Sequence, residues 1–269
     1  MTSEKQQVAV LLRSTQDGVV RLTMNRPDRR NALNLEMTVA LRAALTDAAR
    51  DASVRAVVLT GAGSAFCAGG DVKNMAANPM AVESAEERIR TLRFRTEASR
   101  LLHEMPKPTI ALLGGAAAGA GMALALACDF RLAVQSAKLT TAFAKVGLAG
   151  DFGMSYLLPR IVGGARAREL LMLSPVLSAE EALNLGLIHR VFSADEFAAR
   201  SEEFIARLAQ GPTLAYGRIK ANLNEVFDVD FDASLDNESS RQVACFPTED
   251  HREASQAFVA KREPKFVGR

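Results

Sequence analysis

The stretch from Leu112 to Asp129, LLGGAAAGAGMALALACD, constrains this chain more than any other. It begins at the end of an apolar run, Thr109 to Leu113, and passes through four glycines in eight residues. It then becomes an alanine- and leucine-rich segment of high helix propensity. The order predicted is strand, tight turn, buried helix. Side chains this small let another backbone or a ligand approach closely. A helix starting near Ala120 or Gly121 aims unpaired N–H groups at whatever lies before it. Alone, the stretch reads two ways, as tight helix packing without a ligand or as a ligand turn. A second stretch of the same character has to decide.

That second stretch is Thr60–Asp71, TGAGSAFCAGGD, which follows the short continuous apolar run Ala56 to Thr60. An apolar run of this kind is expected of a strand covered on both faces. Neither glycine-rich turn is a phosphate loop, because no Gly-Lys pair occurs anywhere in the chain. Neither fits GxGxxG, since the third glycine position after Gly119-Ala120-Gly121 is Leu124, and no GxSxG elbow is present. Two turns after two neighbouring strands can instead offer two converging backbone N–H groups. Such a pair stabilises an oxyanion.

The rest of the chain supplies the frame. Val8 to Leu12 and Val19 to Met24 read as strands around an Asp17-Gly18 hairpin turn. Asn34 is a plausible N-cap for a helix with Leu35, Val39, Leu41, Leu45 and Ala49 on its apolar face. Residues 71–85 read as a mobile connection. A helix over 86–104 stops at Met105-Pro106-Lys107-Pro108. Thr109–Leu113 and Phe130–Val134 are strands, and Gly147 to Gly153 breaks the chain. Beyond it the pattern is helical, over about 155–161, 165–173, 179–185, 195–208, 213–227, 232–243 and 248–261. Alternating strand and helix in the first two-thirds implies crossovers in a largely parallel sheet.

Composition excludes several classes. The formal net charge of +2 gives no support for a nucleic-acid surface. Cys67, Cys128 and Cys245 have no CxxC spacing, and His103, His189 and His251 are scattered, which argues against a disulfide framework and a transition-metal site. No apolar run reaches membrane-spanning length, and Met1 to Gln7 lacks the apolar core of a signal peptide. A cytoplasmic protein is expected, with no membrane association.

The motifs then combine. Asn25-Arg26-Pro27, Asn31-Ala32-Leu33-Asn34, Val57–Gly61, Phe66–Asp71, Lys107–Ala111, and Gly119-Ala120-Gly121 running to Cys128-Asp129 occur in order. Gly163–Ala167, Ser178–Ala182, Gly186–Ile188 and the segment from Asp250-His251-Arg252-Glu253 through Phe258 to Lys261-Arg262 continue the series. The chain resembles the crotonase (enoyl-CoA hydratase/isomerase) superfamily over nearly its whole length. The resemblance implies an α/β fold, a crotonase-like spiral of ββα units over residues 1–195 that carries a CoA-thioester site. It also implies a C-terminal helical trimerisation region over 196–269, and a homotrimer or dimer of trimers. An acyl-CoA is the implied substrate, and no separate cofactor is implied.

Carried over by position, the oxyanion hole is the backbone N–H of Gly70 and of Ala120. A backbone donor does not depend on its side chain, so alanine can stand at 120. The resemblance places Arg26 and Arg29 or Arg30 near the CoA phosphates, Lys261 or Lys265 within reach of a neighbouring subunit's CoA, and Ala68, Asp71, Phe143 and Leu148 beside the substrate. Residues 72–95 would help shape the acyl pocket.

The departures from the resemblance point to the chemistry. Hydratases of this superfamily use two glutamates; the matching positions are Ala123 and, in Ala142-Phe143, Phe143. Neither side chain exchanges a proton. Gly147-Leu148-Ala149-Gly150-Asp151 instead matches the pattern of isomerases with one carboxylate, including ring-type enoyl-CoA isomerases of phenylacetate breakdown. Apolar neighbours Phe143, Leu148, Phe152 and Met154 are expected to raise the pKa of Asp151. Asp151 equally suits the N-cap of the next helix, and the two roles are compatible. A dehalogenase branch shares the Asp151-to-Ser155-Tyr156 spacing, but its tryptophan position is Phe143 and no histidine occurs over 96–100. The readings carried forward are an enoyl-CoA isomerase, a hydratase with an unusual acid or a water held by Asp151, and a catalytically silent CoA-thioester binder.

Overall fold

The run Ala56–Thr60 shows how the sequence builds the core. It is the third strand of a sheet, and its side chains alternate between two apolar clusters. Val57 and Leu59 join one, and Ala56 and Val58 join the other. A computed structural model describes residues 9–71 and 84–269. Residues 72–83, which make up most of the expected mobile connection over 71–85 and half of the expected pocket residues 72–95, are outside the described residues.

Six strands form the larger sheet: β1 (Leu11–Gln16), β2 (Val19–Met24), β3 (Ala56–Gly61), β5 (Thr109–Leu113), β7 (Phe130–Val134) and β10 (Arg190–Phe192), in the order β1-β2-β3-β5-β7-β10. Only β1 and β2 pair antiparallel; the other neighbours are parallel. The smaller sheet has the order β4-β6-β8-β9, with β4 (Ala65–Cys67), β6 (Ala116–Ala118), β8 (Lys138–Thr140) and β9 (Leu177–Ser178). Helix α1 (Leu35–Arg50) and helix α4 (Ala120–Ala127) contribute to the larger apolar cluster. All eight residues of α4 are buried, as expected for a helix apolar on every side. Helix α8 (Phe197–Ala209) covers the other face of the six-stranded sheet with Ile205 and Ala209.

Several expectations are corrected. The first strand runs through Ser14, Thr15 and Gln16, whose pairing with β2 outweighs their polarity at an exposed edge. The N-cap Asn34 accepts from Met37 N–H at 2.9 Å as expected, yet α1 buries Met37, Leu41, Ala44, Leu45 and Ala48. Leu35 and Val39 lie on another face and are exposed. The helix expected over 86–104 is two, α2 (Ala85–Arg95) and α3 (Glu97–Glu104). At the break, Thr96 Oγ1 donates to the Arg93 carbonyl at 2.9 Å, a side-chain bond that competes with the helix ladder. Short strands β4 and β6 lie inside the stretches read as glycine-rich turns, and β9 and β10 interrupt the region read as helical.

Helices α6 (Gly164–Leu173) and α7 (Ala179–Asn184) precede α8, and the C-terminal part of the chain comprises α9 (Thr213–Glu225), α10 (Phe231–Val243) and α11 (Glu249–Val259) after it. Helix α9 is fastened to the core by Lys220. Its Nζ lies 2.9 Å from Asp129 Oδ2 and donates to the Leu102 carbonyl at 2.8 Å. The Cys128-Asp129 end of the opening stretch thus has a structural job. Asp250 does the same for the chain end, accepting from Val267 and Gly268 N–H at 2.7 and 2.9 Å.

Candidate active site

Parallel pairing of β4 with β6 sets the two glycine-rich turns side by side. Gly69 has φ +91°, and a Cβ there would lie 2.7 Å from the Ala118 carbonyl oxygen and 3.4 Å from Ala120 N. A Cβ on Gly121 would lie 2.3 Å from the Cys67 carbonyl oxygen. The turns therefore touch through their backbones, and side chains are barred at 69 and 121. Residue 120, between the barred positions, keeps its methyl group in the core at 2% exposure. That is why alanine can occupy it.

The same geometry orients two donors. Leu33 and Gly70 form a single parallel bridge, in which Leu33 N–H donates to the Gly69 carbonyl at 2.8 Å and Asp71 N–H to the Leu33 carbonyl at 3.3 Å. In parallel pairing the bridged residue's own N–H faces away from that partner. Gly70 N–H is therefore not used by Leu33. Ala120 is the first residue of α4, after Gly119, and no side chain caps this helix. Its N–H has no acceptor within the helix, and the helix dipole adds partial positive charge there.

Asp151 sits before α5 (Met154–Val162). Its expected capping role is not what the structure shows: the N-cap is Gly153, with no side-chain capping bond. Only the Asp151 backbone carbonyl is engaged by the helix start, by Met154 N–H at 3.0 Å. Asp151 Oδ1 is buried without a hydrogen-bond partner. Of the apolar neighbours expected, Phe143, Phe152 and Met154 are buried, whereas Leu148 is half exposed. Leu148 follows Gly147, which ends a short 3-10 turn in the left-handed region at φ 69°. Burial pushes the Asp151 carboxyl above the ordinary aspartate range, and the positive charge of Arg95 partly offsets this.

Phe143 connects the two halves. A Cβ placed on Gly119 would lie 3.9 Å from its ring, and one placed on Gly150 would lie 4.0 Å from it. The ring thus packs between the turn that leads into Ala120 and the residue before Asp151. Ala123 is fully buried in α4.

The other residues expected at the site divide. Arg26 and Asp71 are brought to each other: Arg26 Nη2 donates to Asp71 Oδ2 at 3.1 Å, and Nη1 donates to the Ala32 carbonyl at 2.5 Å. Both side chains are largely buried. Asn31 ties this loop to the first glycine-rich turn, donating from Nδ2 to the Ala62 and Ala65 carbonyls at 2.9 and 2.8 Å. Ala68 is exposed beside Gly69, its N–H bonded to the Arg30 carbonyl at 2.9 Å. Arg29 and Lys261 are exposed and make no hydrogen bond with either turn. Among the described residues, no group of three His, Cys, Asp or Glu side chains is placed to hold a metal ion. No helix among them is long and apolar enough to cross a membrane.

Arg95 was not singled out from the sequence. An arginine ending a helix with a basic last turn is ordinary and gives no signal. In the fold its Nη2 donates to the Leu33 carbonyl at 3.1 Å, the same carbonyl that takes Asp71 N–H. It therefore stands against the segment that carries Gly70.

Residues 14–269 match the enoyl-CoA hydratase/isomerase family model. The chain belongs to the enoyl-CoA hydratase/isomerase family. It is 39% identical over 259 residues to 1,2-epoxyphenylacetyl-CoA isomerase of Escherichia coli (strain K12), covering 96% of this chain and 98% of that one. It is 33% identical to crotonyl-CoA hydratase of Syntrophomonas wolfei, over 92% and 94% of the two chains. The crystal structure of an enoyl-CoA hydratase from Bacillus anthracis superposes with a TM-score of 0.89 at 30% identity, over 97% of this chain and all of that one. The α/β crotonase fold, with two mixed sheets and C-terminal helices, is thereby established for this enoyl-CoA hydratase/isomerase family member. Its relatives include both an isomerase and hydratases, so the choice between the two chemistries rests on the site.

Proposed function

We propose that this enzyme is an enoyl-CoA isomerase that moves a double bond through a thioester enolate. Activity on CoA thioesters follows from family membership. The observation that carries the isomerase reading is the Asp151 carboxylate. Its Oδ1 is buried without a partner, it caps no helix, and the Phe143 ring packs between Gly150, the residue before it, and Gly119, the residue before Ala120. No other proton-exchanging side chain is needed, and Ala123 and Phe143 stand where the resemblance places the two glutamates of hydratases.

In this reading Gly70 N–H and Ala120 N–H donate to the thioester oxygen. Asp151 takes the proton from the α-carbon of a 3-enoyl thioester. The C–H electron pair moves into the enolate, and negative charge collects on the oxygen between the two donors. Protonated Asp151 then returns the proton to the γ-carbon, the double bond settles between the α- and β-carbons, and the carboxylate is regenerated. One carboxylate suffices because one proton leaves and one returns. A carboxylate with a raised pKa is the stronger base for the first step. Adding water by the two-acid route of the superfamily's hydratases would need a second such group. Arg26 and Arg29 for the CoA phosphates, Lys261 for a neighbouring subunit's CoA, and Ala68, Asp71, Phe143 and Leu148 beside the substrate remain part of the proposal. The test is the product formed from 3-hexenoyl-CoA and from crotonyl-CoA.

Self-association as a homotrimer or dimer of trimers belongs to the same reading. Phe231, Phe258 and Val259 are 79%, 86% and 83% exposed on this single chain, with Met172 and Leu173 also exposed. Apolar side chains exposed in this way suit contacts between subunits. Sedimentation equilibrium is expected to give three or six times the monomer mass; a monomer at micromolar concentration would contradict it.

A further inference from the structure

Asn31 is fully buried, sits in the left-handed region at φ +57°, and has every polar atom bonded. Its N–H donates to the Arg26 carbonyl and its Oδ1 accepts from Arg26 N–H, both at 2.9 Å. Its Nδ2 donates to the carbonyls of Ala62, before β4, and of Ala65, the first residue of β4. Its own carbonyl accepts from the thiol of Cys67, the last residue of β4, at 3.1 Å. A side-chain amide supplies both the two N–H donors and the acceptor that this set requires. Asparagine is also one of the few residues that visit the left-handed region routinely. Gly61 makes room for the amide: a Cβ there would lie 2.5 Å from Asn31 Nδ2.

This frame reaches Gly70 through two residues. Leu33, two positions after Asn31, donates its N–H to the Gly69 carbonyl at 2.8 Å. In the planar trans peptide between Gly69 and Gly70, the N–H points opposite to the C=O. The Leu33 bond therefore turns Gly70 N–H away from the 31–33 loop. Cys67 is the second link. Gly69 N–H donates to its Sγ at 3.5 Å, and a Cβ on Gly121, in the first turn of α4, would lie 2.8 Å from that sulfur. Burial pushes the Cys67 thiol up to about 12, so it stays protonated and donates to Asn31. We propose that Asn31 is a positioning residue of the oxyanion hole: it locks the 31–33 loop to both ends of β4, and that loop holds the Gly69–Gly70 peptide with its N–H aimed at the thioester oxygen. Asn31 touches no substrate; it acts through Leu33 and Cys67.

The inference rests on Gly70 and Ala120 as the oxyanion donors, and one spectroscopic experiment separates the two claims. The probes are acetoacetyl-CoA and hexanoyl-CoA. Acetoacetyl-CoA gives up its α-proton to water, so Asp151 is not needed, and its enolate absorbs in the near ultraviolet where the neutral thioester does not. The wild type is expected to enrich the bound enolate by about 10²-fold over free ligand at the same pH, the typical effect of an oxyanion donor. Asn31→Gly keeps the left-handed backbone and removes only the side-chain bonds. It is expected to lower the enrichment about tenfold or more, because a misplacement of about 1 Å costs on that order, while hexanoyl-CoA affinity stays within about twofold. A structural role alone would weaken both ligands together. If Asn31→Gly fails to fold, Cys67→Ala serves: it removes both sulfur bonds and is expected to lower the enrichment, and Cys67→Ser, which can remake them, is expected to restore it. Undiminished enrichment in folded Asn31→Gly, equal loss of both ligands there, or equal enrichment in Cys67→Ala and Cys67→Ser would overturn the role of Asn31 and leave the oxyanion donors standing. No enrichment by the wild type would remove the oxyanion donors, and Asn31 with them.

Discussion

Replacing Asp151 with asparagine is expected to lower the isomerisation rate by about 10²–10⁴-fold, the usual contribution of a positioned acid–base group. The fold and CoA-thioester affinity should survive, because the side chain makes no capping bond and Oδ1 no hydrogen bond that the variant would break. Stability should rise. The carboxyl is held above its ordinary range by burial, so its folded pKa exceeds its unfolded one. For an acid shifted this way, the unfolded state loses its proton first as pH rises. Folding stability therefore falls as pH passes from the unfolded to the folded pKa, and the loss persists at neutral pH. Asparagine carries no charge to desolvate and escapes that loss. A higher melting temperature at pH 7 with turnover gone is the expected pair of results. The acidic limb of the wild-type pH profile should lie above the ordinary aspartate pKa for the same reason. Unchanged turnover in Asp151→Asn would remove Asp151 from the mechanism.

Ala120→Pro is the second large effect. Proline at the first position of a helix loses no helical hydrogen bond, because that N–H has no acceptor in the helix. Its fixed φ is also compatible with the first turn. The substitution thus deletes the proposed oxyanion donor at a place where the helix tolerates it. Loss of one such donor typically costs about 10²–10³-fold in rate. The loss should appear in kcat, since the donor acts most on the charge of the enolate. Gly119 precedes the substituted residue and, lacking a Cβ, relaxes the restriction that proline places on its predecessor. Circular dichroism and thermal melting establish that the variant is folded. A folded variant with wild-type kcat would mean that Ala120 N–H does not stabilise the enolate.

Much of this fold was legible because its central strands are short apolar runs. Val19–Met24, Thr109–Leu113 and Phe130–Val134 are strands with those limits. Periodicity failed where strands are too short to show it. Ala65–Cys67 and Ala116–Ala118 are three residues each, the second all alanine, and only their pairing makes them strands. Helix α1 was legible in its cap and less so in its face, since Leu35 and Val39 are as apolar as the residues it buries. At the site, the glycine pattern predicted two adjoining turns, and the close contacts at Gly69 and Gly121 give the physical reason. The burial of Asp151 was anticipated from Phe143, Phe152 and Met154. The exposure of Leu148 was not, because hydrophobicity alone does not place a residue that follows a turn. Arg95 was illegible for a simpler reason: its place comes from its bond to Leu33, which is distant in sequence.

The central claim is that one carboxylate moves a proton between two carbons of a CoA thioester. The most direct measurement is proton NMR of the wild-type enzyme acting separately on 3-hexenoyl-CoA and on crotonyl-CoA. Conversion of the first to 2-hexenoyl-CoA, with the second left unhydrated, is the expected result. Hydration of crotonyl-CoA to 3-hydroxybutyryl-CoA without any shift of the 3-hexenoyl double bond would contradict it.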